Sequence, residues 1–251
     1  MTAPRIAWIS QDDPPDAFPE ISAALTEPDG LLAAGGDLKP DRLLYAYRRG
    51  VFPWFDSGQP ILWWSPDPRC VMKPESFHVA RRLRRSIRNA RLGLSFNEAF
   101  SSVIESCAAD RIGQEGTWIT DEMLDAYSSL HAQGWAHSVE VWRDDELVGG
   151  MYGLAIGKAF FGESMFSEAS NASKIAMWAL CELLARHKFE VLDCQVVSPH
   201  LTSLGAVLMP RADFGVLLGR ACDPATKFAD WPDNRLPVAK LLASRADSAL
   251  Q

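Results

Sequence analysis

The sequence predicts an α+β fold, a small N-terminal α/β domain over residues 1–80 followed by a larger sheet-based domain over residues 81–251. Three observations carry this expectation. Leu147 to Gly157 is an apolar, glycine-punctuated run, too short to span a bilayer, and reads as a buried strand turning at Gly157-Lys158. A second strand, Ala159 to Met165, leaves that turn. Ile175, Ala179 and Leu183 then recur at i, i+4 and i+8 as the core-facing stripe of a helix, with Asn171 and Ser173 placed to cap it. That helix ends near His187-Lys188, and a third strand, Val191 to Val197, follows.

Along the rest of the chain, residues 1–27 are polar and proline-rich and are expected to wrap the first domain. In PDGLLAAGGDL (Pro28 to Leu38), Gly30, Gly35 and Gly36 allow tight turns; the stretch lacks the Gly-Lys-Ser/Thr ending of a nucleotide loop. Pro40-Asp41 opens a helix through Arg49, closed by Gly50. Phe52-Pro53-Trp54-Phe55 and Ile61-Leu62-Trp63-Trp64 flank a turn; such a cluster is either core or a platform on which a base stacks. From Phe77 to Leu92 a helix is expected with Val79, Leu83 and Ile87 on its apolar side and arginines elsewhere. Two further helices span Asn97 to Ala109 and Asp121 to Gln133, the second capped by Thr120, carrying Met123 and Tyr127 on one side and closed by Gly134. His137 to Trp142 alternates as a strand and turns into Leu147. Phe214 to Arg220 finishes the sheet or forms a helix.

Composition narrows the function classes. A 47% hydrophobic, 23% charged chain of 251 residues has the balance of a globular protein. No run reaches membrane-helix length, and the N-terminus has neither a basic nor an apolar leader region, so a cytoplasmic location is expected. Five scattered cysteines and five scattered histidines give neither a disulfide framework nor metal-ligand spacing. The net charge of −7 hides a local excess: Arg69, Lys73, Arg81, Arg82, Arg84, Arg85, Arg88 and Arg91 face only Glu75 over that span. Such a run is either a solvated face or a surface for phosphates, which would add salt-sensitive affinity without reading sequence.

The third strand carries the chemistry. Alternation sends Asp193 and Gln195 to one side of an apolar strand, and burying a carboxylate is costly unless it is paired. Either the acid pins a neighbouring loop, or strand residues form a reaction centre. In the preceding strand Glu163, Ser164 and Ser167 interrupt Phe160, Phe161, Met165 and Phe166.

Eight short blocks carry a family resemblance: PDGLLAAGGDL, FPWF (Phe52 to Phe55), WWSPDPR (Trp63 to Arg69), TWIT (Thr117 to Thr120), GESMFS (Gly162 to Ser167), NASK (Asn171 to Lys174), LDCQ (Leu192 to Gln195) and SLGA (Ser203 to Ala206). Their identity and order resemble the leucyl/phenylalanyl-tRNA–protein transferases over about Pro19 to Arg211. The resemblance implies a GNAT-like acyltransferase core, matching the order strand, hairpin, strands, helix, strand. It implies movement of Leu or Phe, with Met left open, from aminoacyl-tRNA to proteins with N-terminal Arg or Lys, marking them for degradation; a monomer is expected, and an aminoacyl-tRNA, being already an activated ester, needs no cofactor or metal for the transfer.

By the same resemblance Asp193 and Gln195 assist the reaction, Gln195 orienting the attacking amine and Asp193 polarising its amide, while Trp54 and Trp118 take the terminal adenosine and leave Trp63 and Trp64 to packing. Met151, Phe160, Met165 and Leu192 flank the polar strand and are candidates for the amino-acid pocket, although core packing explains each singly. Glu163 either receives the basic N-terminal residue of the acceptor or makes a structural hydrogen bond. Arg81, Arg84, Arg85 and Arg88 are the candidates for tRNA phosphates. Two rivals stand beside this reading. An acetyl-CoA-dependent N-acetyltransferase would need a Gln/Arg-x-x-Gly-x-Gly/Ala loop that is not found after the central strands, and a non-catalytic RNA-binding module would leave Asp193 and Gln195 unexplained.

Overall fold

The computed structural model describes residues 6–89, 91–109, 119–223 and 225–241. The first of its two sheets is built from β1 (Ala7–Ile9) and β2 (Leu31–Gly35), then, beyond helix α1 (Pro40–Arg48), from β3 (Phe52–Pro53) and β4 (Leu62–Trp64). Its order is β1-β2-β4-β3. Residues 7–9, expected to wrap the surface, instead pair in parallel with β2, whose five residues are all buried. The turns at Gly30, Gly35, Gly36 and Gly50 all have positive φ, as the glycines imply.

The second sheet starts earlier than residue 81. Strand β5 (Arg69–Met72) pairs with strands from the far end of the chain, so the chain changes sheet at residues 65–68. Helix α2 (Arg81–Asn89) follows, starting later than expected, with Phe77 and Val79 buried in the non-helical approach and Leu83 and Ile87 on its inner side. Leu92, read as the helix end, opens strand β6 (Leu92–Phe96) instead. Then come α3 (Phe100–Ala109), α4 (Asp121–Ala132), β7 (Ala136–Arg143), β8 (Glu146–Ile156) and β9 (Ala159–Ser167). Thr120 caps α4 as expected, its hydroxyl accepting from the Met123 N–H at 3.3 Å. The chain continues through α5 (Ala172–Arg186), β10 (Val191–Gln195), α6 (Pro199–Ser203), β11 (Val207–Met209), α7 (Arg211–Ala221) and β12 (Leu236–Pro237).

The large sheet runs β11-β5-β10-β9-β8-β7-β6-β12. Strands β6 to β9 are antiparallel neighbours, whereas β9 and β10 are parallel and need the α5 crossover between them. This is the strand, hairpin, strands, helix, strand order expected. Ile175, Ala179 and Leu183 lie on the buried side of α5, the two larger side chains, Ile175 and Leu183, each contributing about 1.5–3 kcal/mol by leaving water. Gly149 lets that helix in: a Cβ there would overlap the side chain of Ala172. Asn171 precedes α5 at φ 68° without a side-chain cap; the Ser167 hydroxyl accepts from the Ser173 N–H instead.

Buried side chains divide between the two faces of the large sheet. One layer, under α5 and α2, holds Met72, Met151, Phe160 and Leu192. The other joins α1, α3, α4, α7 and the first sheet into one continuous core that includes Ile9, Trp63, Val71, Tyr127 and Phe214. No described helix is long and apolar enough to cross a membrane.

Candidate active site

Strand β10 is short because its polar residues bend it. Asp193 pairs with Val71 and Gln195 with Cys70, so two residues of β10 advance against one of β5. This bulge puts Gln195 at φ 60°, a left-handed conformation costly for a residue with a Cβ, and the strand ends there rather than at Val197. What holds it is Asp193: its Oδ1 accepts the Gln195 backbone N–H at 2.9 Å. The acid is completely buried, and Arg69, also completely buried, supplies the required pairing, with Nε to Oδ1 at 2.9 Å and Nη2 to Oδ2 at 2.7 Å.

Despite the bulge, the Gln195 side chain still reaches the same side of the sheet. Its Nε2 donates to Glu163 Oε1 at 2.8 Å. The same oxygen accepts the Tyr47 hydroxyl at 2.7 Å, and Oε2 accepts the Tyr127 hydroxyl at 3.0 Å. The two tyrosine hydroxyls also lie against each other, a contact that becomes a hydrogen bond when the carboxyl is protonated and donates to one of them, since each hydroxyl has a single proton. Glu163 thus ties α1, α4, β9 and β10 together. Burial pushes its carboxyl up to about 7, against the lowering effect of Tyr47, Tyr127 and Gln195, with the Asp193 charge adding to the rise. Both tyrosines are held well above the usual phenol range, first by burial and then by the Glu163 charge, so both remain donors at neutral pH.

Two openings meet at this carboxylate. One, of about 240 Å³, is apolar, lined by Met151, Met165, Met177, Leu192 and Leu201 with Glu163 and Ser198 at its edge. The other, of about 280 Å³, lies between Phe52, Pro53 and Trp54 on one side and Gln195, Val196 and Val197 on the other. Glu163, Cys194 and Ser198 border both. Trp54 is 45% exposed beside Trp64, at 5.9 Å between ring centroids, whereas Trp63 is fully buried and donates to the Gly35 carbonyl at 2.8 Å. A half-exposed indole above a polar strand, next to an apolar cavity, can hold a flat ring and a hydrophobic side chain at the same time.

Of the expected pocket residues, Met151, Met165 and Leu192 line the apolar cavity and Phe160 does not. Its ring lies under Gly153 and against Trp231, deep in the α5-side core. The Gln195 side-chain amide is held by Glu163, while Asp193 acts on the Gln195 backbone. Arg81, Arg82, Arg84 and Arg85 form one exposed patch on α2. Trp118 and the Arg88 side chain lie outside the described residues.

A family model described as leucyl/phenylalanyl-tRNA protein transferase matches residues 71–219, and a second, for the N-terminal domain of the same protein, matches residues 36–67. The chain belongs to this transferase family. A leucyl/phenylalanyl-tRNA–protein transferase of Stutzerimonas stutzeri is 52% identical over 90% of this chain and 99% of its own length. One from Escherichia coli O1:K1 is 56% identical over 79% of this chain and 84% of its own length. Among solved structures, the C-terminal domain of a putative lysylphosphatidylglycerol synthetase from Agrobacterium fabrum covers 73% of this chain and is itself covered over 69%, with TM-score 0.41 and 14% identity. An aminoglycoside acetyltransferase from a soil metagenomic sample covers 57% of this chain and is covered over 97%, with TM-score 0.36 and 11% identity.

In this transferase, sequence reasoning missed Tyr47, Tyr127, Arg69 and Met177. Tyr127 was visible only as an apolar-side partner of Met123. Arg69 had a usable signal: an arginine heading Cys70-Val71-Met72, a strand buried throughout, demands an acid, and Asp193 was the acid in search of a partner.

Proposed function

We infer that the chain transfers Leu or Phe from aminoacyl-tRNA to the N-terminal amine of proteins beginning with Arg or Lys, acting as a cytoplasmic monomer that marks its acceptors for degradation. One observation carries this reading: an apolar cavity of amino-acid size and a cleft under a half-exposed tryptophan meet at Glu163, to which the Gln195 amide in the cleft is hydrogen-bonded. The terminal adenosine stacks on Trp54, and the aminoacyl side chain enters the cavity of Met151, Met165 and Leu192. The ester carbonyl then lies over the polar strand.

The acceptor amine attacks that carbonyl, forming the new C–N bond. The tetrahedral intermediate collapses by breaking the C–O bond to the ribose, which leaves as a hydroxyl after taking up the proton the amine loses. The aminoacyl ester is already activated, so positioning can supply much of the catalysis, about 7–11 kcal/mol in favourable cases. With Nε2 committed to Glu163, Gln195 presents its carbonyl oxygen as acceptor to the attacking N–H and aims the nitrogen lone pair. Because a free α-amine has a pKa of about 7.7–8.0, a sizeable fraction is neutral near pH 7 and only modest base assistance is required. Glu163, with three of its roughly four acceptor positions taken, keeps one for a cationic acceptor. The arginines of α2 neutralise phosphates of the tRNA body.

The test is incubation with radiolabelled leucyl-tRNA and an Arg-starting acceptor without ATP. Label in the acceptor supports the reading; label that enters only with acetyl-CoA, or tRNA binding without transfer, overturns it. Glu163→Gln should weaken basic acceptors selectively, and equal loss for all acceptors would remove the proposed cationic interaction.

A further inference from the structure

We propose that Arg69 is a positioning residue for the transfer step, holding Asp193 so that the backbone of Gln195 stays in its strained, working conformation. This deepens the reading above and rests on it. Arg69 touches neither opening. It lies on β5, the strand beside β10, fully buried, and its hydrogen bonds hold Asp193, which lines the apolar cavity, and the turn that closes α1. Nε and Nη2 clamp both oxygens of Asp193, and Nη1 donates to the Gly50 carbonyl at 3.0 Å. The guanidinium carbon sits 4.7 Å from the Phe52 ring centroid and 4.9 Å from that of Phe214.

Gly50 closes the helix that carries Tyr47, and Phe52 precedes Trp54 by two residues. One cation therefore joins three parts of the site: the end of α1, the strand leading to Trp54, and the acid that restrains Gln195. The planar fork matters because its two parallel bonds fix the rotation of the carboxylate, and with it the direction in which Oδ1 meets the Gln195 N–H. A lysine would supply charge without that direction. An apolar residue would leave a buried acid unpaired, with nothing to fix the direction of its carboxylate.

The experiment compares wild type, Arg69→Lys and Arg69→Met as full-length proteins, measuring kcat and KM for leucyl-tRNA transfer under one set of conditions near neutral pH. For Arg69→Met, kcat is expected to fall about 100-fold, as for a reacting group displaced by about 1 Å, while KM for leucyl-tRNA changes far less. Arg69→Lys, which keeps the charge, recovers part of kcat. A wild-type kcat per folded molecule in Arg69→Met overturns the proposal. If Arg69→Met does not fold by circular dichroism, Arg69→Lys decides: reduced kcat in a fully folded protein supports the proposal, and wild-type kcat overturns it. A wild type that transfers no leucine brings down the functional reading and this proposal together, whereas an active wild type with indifferent variants brings down this one alone.

Discussion

Glu163→Gln separates stability from activity. In the folded protein the Glu163 carboxyl is pushed up to about 7 from an ordinary 4.5. At about 1.36 kcal/mol per tenfold change in proton affinity, ionising it costs the fold about 3 kcal/mol relative to the unfolded chain. Two openings border the carboxylate, so water relieves part of this and about 2 kcal/mol is the better figure. The direction follows from which state loses its proton first. Below about pH 4.5 both states are protonated and there is no cost; between 4.5 and 7 the unfolded chain ionises first and the fold weakens; above 7 the full cost is present. Glutamine does not titrate, so this part of the pH dependence disappears in the variant. For a chain of this length about 1 kcal/mol corresponds to about 2–4 °C, so between about pH 5 and 8 the wild-type Tm should lose about 4–8 °C relative to the variant. Scanning calorimetry at about pH 5, 6, 7 and 8 measures the difference. Glutamine also leaves one donor of Tyr47, Tyr127 and Gln195 poorly matched, a pH-independent offset that does not affect the comparison. Parallel wild-type and variant curves would refute the reasoning about Glu163. Transfer to Arg-starting acceptors should fall even at pH values where the variant is the relatively stabilised protein.

Trp54→Ala should weaken binding of a terminal-adenosine fragment by about 1–3 kcal/mol with Tm almost unchanged, because the indole is half-exposed; calorimetric titration reads the first and a melt the second. Replacing Arg84 and Arg85 together by Ala should lower the slope of log K against log salt for tRNA binding by about 0.9 for each phosphate no longer neutralised, leaving transfer from an aminoacyl-adenosine, which carries no phosphate, unaffected. Leu192→Phe narrows the apolar cavity and should reduce transfer of Phe more than of Leu in a competition assay, whereas Phe160→Leu, away from the cavity, should lower stability by about 1 kcal/mol or more without changing that ratio.

The parts of this molecule legible in its sequence are those whose cause is local. Strands β7 to β9, the α5 stripe, the Thr120 cap and the glycine turns follow from periodicity and side-chain chemistry within a few residues. The segment from Phe77 to Leu92 shows the limit: Val79, Leu83 and Ile87 satisfy helical spacing, but Leu92, Leu94 and Phe96 begin a strand at an apolar position compatible with both. At the site, the polarity of Asp193 announced an unpaired buried acid, but the partner is 124 positions away on β5. Tyr47 and Tyr127 are likewise 80 residues apart, and each looks like an ordinary aromatic of an amphipathic helix. Phe160 shares the face of Leu192, but its ring turns to Trp231 in the core, a choice of direction that alternation along a strand does not reveal.

The joint hydrophobic layer beneath the first sheet sets a limit on engineering. Ile9, Trp63, Val71 and Phe214 are parts of one interior mass, so the two sheets hold one another up rather than docking as finished pieces. A graft that exchanged everything up to Trp64 for the matching stretch of a distant homologue would have to fit that surface side chain by side chain, and a scissile site inserted between the sheets would yield fragments that precipitate rather than a detachable module. Donor specificity in this scaffold is therefore better altered by single replacements around the cavity than by swapping halves.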